Sequence, residues 1–365
     1  MVIPFLTVYL TTKLHYTIGQ AGMIMGVFGA GAMLGGFLGG KLTDRIGFYP
    51  VQFASLILNG VMFIVLGQMR TLWQLGICIF ILSSLGESFR PANAAAIAWY
   101  SEPGNRTRSY SLNRLAINLG WSVGPAVGGI LASISYQWLF WVDGLTCILA
   151  ALLLRLCLPP VRNQRIIQSK DSIPAVSHSA YSDRIYLRFM FFVFLVAICF
   201  LQLFSLVPVY FKEQIHMNES AIGMVLALNG VIIVFSEMIL VYKLEGKRNA
   251  TFYTSMGAIF IGLAFLIFNI AQNVTVVLFS MLVITFGEMM LFPFVNTFWT
   301  SRSKEHNRGQ YAALYTIAFS LAHVLAPTIG SQVVKHFGFS VLWYLVFVIC
   351  LIASFGFYKL KTAIV

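Results

Sequence analysis

The chain has 365 residues, 59% of them hydrophobic and only 10% charged, where a soluble globular domain carries about a quarter charged; this excludes a soluble fold and implies a polytopic, all-α membrane protein. The formal net charge of +12 is what basic loops on one side of a membrane produce, and it does not require nucleic acid. The five cysteines (Cys78, Cys147, Cys157, Cys199 and Cys350) lie in or beside apolar runs without CxxC or Cys/His spacing, which argues against disulfides and against a metal centre.

A helix needs about 20 apolar residues to cross a bilayer. The opening stretch MVIPFLTVYLTT is too short, about 18 Å of helix, and has neither the basic flank nor the cleavage site of a signal peptide. It reads as the second half of a twelfth span whose first half is missing. Eleven full spans follow, near 18–40, 49–68, 72–98, 109–133, 137–158, 187–211, 220–242, 251–271, 274–299, 310–333 and 339–358. The only long hydrophilic stretch, 159–186, is rich in Ser, Lys and Arg and reads as a flexible linker. It separates an N-terminal six-helix bundle, 1–158, from a C-terminal one, 187–365.

With the linker placed in the cytoplasm, eighteen of the 24 lysines and arginines fall on its side of the membrane. Only Lys13, Arg70, Lys212 and Lys335 fall on the other side, and Arg90 and Arg114 lie within spans. That asymmetry puts the linker and the C-terminus in the cytoplasm of a cell membrane, a bacterial inner membrane by expectation.

The two halves repeat at a spacing of about 202 residues. Asn105-Arg106 matches Asn307-Arg308, Pro125 matches Pro327, Gly128 matches Gly330, Gly86-Glu87 matches Gly287-Glu288, and Asp44 aligns with Glu245. Six spans per repeat make the repeats parallel and pseudo-symmetric, an architecture of secondary transporters with the substrate site near the midplane.

Residues 40–47 read GKLTDRIG, which resembles the signature loop of the major facilitator superfamily through Gly40, Asp44, Arg45 and Gly47. The usual basic pair after it is replaced by Phe48-Tyr49. In physical terms Gly40 is expected to let two helices approach closely, and Asp44 to cap a helix or pair with an arginine. The resemblance implies a conformational latch here. Residues 120–129, GWSVGPAVGG, resemble the antiporter motif of the same superfamily. There Gly120, Gly124, Gly128 and Gly129 are expected to allow close packing, and Pro125 to kink the helix. This resemblance implies export and points to the drug:proton antiporter branch. The arginine motif of that branch in the fourth span is absent, since Leu82 and Leu85 occupy its positions. Together the motifs imply the superfamily fold, with twelve transmembrane helices of which the first is truncated.

Charge inside a membrane is costly, so it usually faces a protein interior and serves function. Glu87 and Arg90 share a helical face at i, i+3, and Arg114 on the next span lies at similar depth. Glu87 is expected to meet one of these arginines and leave the other for an anionic group; a purely structural ion pair is the alternative. Glu288, the repeat mate of Glu87, has no basic neighbour in sequence. It is the first candidate for a proton-coupling group, neutral while buried and releasing a proton when wetted; Glu237 is the second. His323 is a relay or a packing residue, and Asp143 is structural. Asn93, Asn113, Asn118, Gln202, Asn229, Asn296, Tyr311 and Tyr315 add polar points, with Phe89, Met289, Met290, Phe292 and Phe294 as a greasy surround suited to amphipathic compounds.

The sequence therefore reads as a secondary transporter working by alternating access, with proton-coupled efflux of amphipathic small molecules as the first reading. A proton-coupled uptake symporter for sugars, peptides or organic anions is the alternative, since RLAINLG (114–120) faintly resembles a peptide-transporter pattern. HExxH and DxxD clusters are missing, as is GxxxxGK[ST], so neither an enzyme nor direct use of ATP is expected. No cofactor is implied. The partners expected are a small-molecule substrate, protons and lipid, with the protein a monomer.

Overall fold

The computed structural model describes residues 1–101, 106–158, 180–303 and 308–362, nearly all of them helical. Among these residues ten helices are long and apolar enough to cross a membrane. The last of them holds two spans joined at Gly338, whose φ of +82° breaks the helix, a backbone conformation that glycine adopts without a side-chain clash. The eleven spans read from the sequence are thus present, preceded by the short helix α1.

The chain divides into two compact units, Met1–Gln168 with Asn218–Gly223, and Ser169–Met217 with Met224–Val365. The first holds α1 (Val2–Thr12), α2 (Ile18–Ile46), α3 (Phe48–Leu66), α4 (Leu72–Tyr100), α5 (Arg106–Ile134) and α6 (Tyr136–Cys157). Two helix starts carry the same T-x-x-Q pattern. Thr17 and Gln20 open α2, and Thr71 and Gln74 open α4, each with both reciprocal bonds of a capping box, which satisfies amide donors left free by the first turn.

The closest helix pairing in this unit is α2 on α4. Gly31, Gly35 and Gly39 recur every four residues and so line one face of α2. A Cβ at Gly35 would fall 2.6 Å from Ser84 Cα, and one at Gly39 would fall 2.5 Å from Ser88 Cα. The space is used for hydrogen bonds: Ser84 Oγ donates to Gly31 O and Ser88 Oγ to Gly35 O, each at 3.0 Å. On the other side of the unit, α3 meets α6 where Gly60 and Gly144 face each other's carbonyl oxygens.

Two expectations about glycines need correction. Gly40 has nothing within 4 Å of its Cβ position, so the close approach is made by Gly39 and its two predecessors, one position away on the helix face. In the 120–129 motif, Gly120 also meets open space, whereas Gly128 lies against Phe5 (3.3 Å) and Gly129 against Gly223 Cα (3.0 Å). Asp44 is exposed and caps no helix among the described residues. The start of α3 has no side-chain cap, and Gly47, with φ +90°, makes that turn.

The second unit holds α7 (Arg184–Phe200), α8 (Gln202–Ser205), α9 (Val207–Glu213), most of α10 (Glu219–Leu244), α11 (Ala250–Ile267), α12 (Val274–Arg302) and α13 (Arg308–Thr362). The span expected over 187–211 is interrupted at Leu201 and Leu206, with Pro208 in the first turn of α9, where its missing N–H costs nothing. The internal repeat is visible in packing. Gly60 meets α6, and 202 residues later Gly262 meets Cys350 Cβ at 2.7 Å on the last span.

Residues 180–186, inside the segment read as linker, are ordered. Ala180–Ser182 form a 3-10 turn, and Asp183 caps α7 through the amides of Ile185 and Tyr186.

Candidate functional site

The polar centre of the second unit is built on α12. Gly287 lets this helix press onto α11, its Cβ position lying 2.9 Å from Ile261 N. Thr285 and Glu288, at i and i+3, are turned to a common neighbour on α10, Asn229. The Asn229 side-chain nitrogen donates to Thr285 Oγ1 at 2.9 Å and to Glu288 Oε1 at 3.0 Å. The Thr285 hydroxyl spends its own proton on Met281 O at 2.6 Å, which leaves its lone pairs facing the amide. All three residues are buried, Glu288 to 6% exposure.

Among the described residues no cation lies in ion-pair distance of Glu288. The group with which it interacts electrostatically is another carboxyl, Glu237, on α10. A buried carboxylate without a counter-charge costs several kcal/mol, so such a group carries a proton or a bound cation. The two proton-coupling candidates named from the sequence thus stand within electrostatic reach of each other. Thr285 was not among the candidates. Its signal is the T-x-x-E spacing on one helix face, which competes with the many threonines that merely bond back to their own helix.

In the first unit Arg90 Nε pairs with Glu87 Oε2 at 2.8 Å. The Arg114 side chain lies outside the described residues. One turn on, Asn93 accepts from Gln52 Nε2 (3.2 Å) and donates to Asn113 (3.0 Å), joining α3, α4 and α5. Asn93 and Phe89 border a cleft of about 590 Å³ walled by α3, α4, α5 and α6. Asp143 accepts from the Val2 amide at 2.8 Å, a structural bond to α1. His323 is exposed, with Nδ1 2.9 Å from Phe319 O.

The greasy surround divides differently from expectation. Met289, Met290 and Phe294 are at most 7% exposed, and Phe294 packs on Tyr253 with ring centroids 4.4 Å apart. All three side chains are core, Met290 and Phe294 because α12 buries that face against α11. Gln202 and Asn296 are likewise engaged, Gln202 donating to Ala326 O and Asn296 accepting from Trp299 Nε1.

A third cluster closes one end of the second unit. Asp183 receives Arg302 Nε and Nη2, each at 3.0 Å, and the Tyr311 hydroxyl at 2.9 Å. The Tyr186 hydroxyl in turn donates to Tyr311 O. Burial alone would raise the Asp183 carboxyl, but bonds from the Tyr186 amide, Arg302 and Tyr311, together with the Arg302 charge, outweigh it and hold the group below the ordinary carboxylate range. Sequence reading placed Asp183 in the linker. The available signal was an Asp directly before an apolar helical run, a capping position.

Comparison with known proteins agrees with this architecture. The model of the Major Facilitator Superfamily matches residues 1–327. The chain is similar to a Na(+), Li(+), K(+)/H(+) antiporter of Planococcus maritimus, 24% identical over 93% of this chain and 86% of that one. It is also similar to the multidrug resistance protein MdtG of Escherichia fergusonii, 32% identical over 36% of this chain and 33% of that one. Among solved structures, the peptide transporter POT in complex with sulfate shares the fold with a TM-score of 0.82, at 15% identity over 99% of this chain and 90% of that one.

Proposed function

The chain belongs to the Major Facilitator Superfamily and is a multi-pass membrane transporter, and on that premise we propose that it exports amphipathic small molecules in exchange for protons by alternating access. The observation that carries this reading is Glu288, a carboxyl 6% exposed, held by Asn229 and lacking a cationic partner among the described residues. A carboxyl in that setting stays protonated while buried and yields its proton when its surroundings are wetted. Such a cycle converts a proton gradient into a conformational preference. The similarity to a protein named as a cation/proton antiporter over most of the chain supports exchange. The partial similarity to MdtG supports multidrug-type substrates.

Glu237 is assigned as the second carboxyl of the relay. Arg90 and Glu87 are assigned to contact substrate, with Arg114 of the next helix, α5. The segment Gly40–Gly47, the last turns of α2 and the glycine that ends them, is assigned as the conformational latch.

Transport in proteoliposomes under an imposed pH gradient tests the reading. Wild-type protein is expected to move a cationic dye against the proton flux, and Glu288→Gln to abolish the gradient-driven component. Dye movement insensitive to the gradient, or unchanged in Glu288→Gln, overturns it.

A further inference from the structure

We propose that the space between the Asn229 side-chain amide, Thr285 Oγ1 and Glu288 Oε1 is a monovalent-cation site, at which an alkali ion such as Na⁺ replaces the Glu288 proton. This rests on Glu288 being the exchanging group, as assigned above, and adds a ligand to that site.

The geometry is that of two acceptors converging on one donor. Thr285 Oγ1 is committed to accept, because its hydroxyl proton goes to Met281 O. Glu288 Oε1 is the other acceptor, and a single amide nitrogen satisfies both, at 2.9 and 3.0 Å. Two buried oxygens aimed at one point favour positive charge there, and the Asn229 NH₂ group supplies only partial charge. Rotating that amide by a half turn replaces its nitrogen with Oδ1. The space between the three side chains is then bordered by a carboxylate, a hydroxyl and an amide oxygen, the all-oxygen donor set preferred by hard cations.

Charge count selects the class of ion. One carboxylate, that of Glu288, is bonded at the site, and Glu237 acts on it electrostatically from α10. On α11 no residue is charged, and on α12 the only other charged residue is Arg302, bound to Asp183. Glu219, Glu237 and Lys243 are the charged residues of α10, Arg184 and Arg188 those of α7, and His323 is the ionisable residue at depth on α13. One carboxylate balances one monovalent charge. A divalent ion would need Glu237 ionised as well, and Mg²⁺ further demands six oxygens in octahedral array. The exchange is balanced: the neutral carboxylic acid loses H⁺ to water and becomes a carboxylate neutralised by Na⁺.

The test is proton release on cation addition. The purified full chain, in Na⁺-free, weakly buffered detergent solution with a pH dye, is titrated with NaCl against choline chloride. Wild type is expected to give saturable release beyond the choline control, and Glu288→Gln none. Thr285→Val is expected to raise the half-saturating Na⁺ concentration about tenfold or more, and Thr285→Ser to keep it near wild type. Absence of release from wild type, release persisting in Glu288→Gln, or equal half-saturation in the two Thr285 variants overturns the site. If release is absent while Glu288→Gln still abolishes proton-driven dye transport, the cation site falls and the transport reading stands. If release depends on Glu288 while dye transport survives in Glu288→Gln, the cation site stands and the transport reading falls.

Discussion

Arg90 reaches Glu87 at 2.8 Å, yet its side chain is 73% exposed where that of Glu87 is 27% exposed. A pair so open on the arginine side contributes little to stability, about 0–1 kcal/mol, and leaves guanidinium donors for another group. Arg90→Ala is therefore expected to abolish transport while moving the thermal midpoint by less than about 2 °C. The charge-swapped double variant Glu87→Arg/Arg90→Glu is expected to remain inactive. Recovery of transport in the swap, with both single variants inactive, would make the pair structural.

The α2 glycines allow a paired comparison on one helix. Gly35→Ala and Gly39→Ala place a methyl on the backbone of α4, and overpacking of this kind costs about 1–3 kcal/mol. Gly36→Ala and Gly40→Ala enter open space, and alanine there gains helix propensity. Thermal unfolding in detergent should lower the midpoint for the first two variants and leave it level or raised for the others. Equal effects across all four would remove the close α2–α4 contact.

The Asp183 cluster should give the second unit a pH-dependent share of stability. Its carboxyl is held below the ordinary range, so the contribution is complete above the unfolded value of about 3.9. It declines as pH falls from there through the lower folded value. Asp183→Asn is expected to depress the thermal midpoint by about 3 °C or more at pH 7, with the gap to wild type closing below about pH 4. A gap that stays constant down to pH 3 would show that the charge does not matter.

Gly338 joins two spans at φ +82°, a region costly for a residue with a Cβ, by about 1–3 kcal/mol. Gly338→Ala should destabilise the protein by that order, whereas Gly338→Asn, which tolerates positive φ better, should recover part of it. Unfolding midpoints of the two variants decide the matter.

Spans were legible because a 20-residue apolar run has few alternatives, and the Gly338 break was legible as the gap between 333 and 339. Glu288 was legible because a carboxyl is conspicuous in a span and because Glu87 repeats it. Its partners were less so. Asn229 stood among eight polar points, and its meeting with Thr285 depends on the rotation of α10 against α12, which periodicity does not fix. Gly40 was chosen over Gly39 for its place in a motif. The two differ by one residue, or about 100° around a helix, and only the packed neighbour separates them. Asp183 was lost to composition, since a hydrophilic window averages over a capping residue and its distant Arg302.

Ser88 stands between Glu87 and Arg90 in sequence, and its hydroxyl is bonded to Gly35 O, while Gly39 sits on its Cα. Five residues beyond Gly39 comes Asp44. The membrane-embedded ion pair and the last turns of α2 are thus fixed to one beam made of two helices packed backbone to backbone. Packing this dense yields by moving as a body rather than by deforming. A ligand that displaces Arg90 by tilting α4 must therefore swing the Gly40–Gly47 end of α2 as well, with no relay of side chains in between.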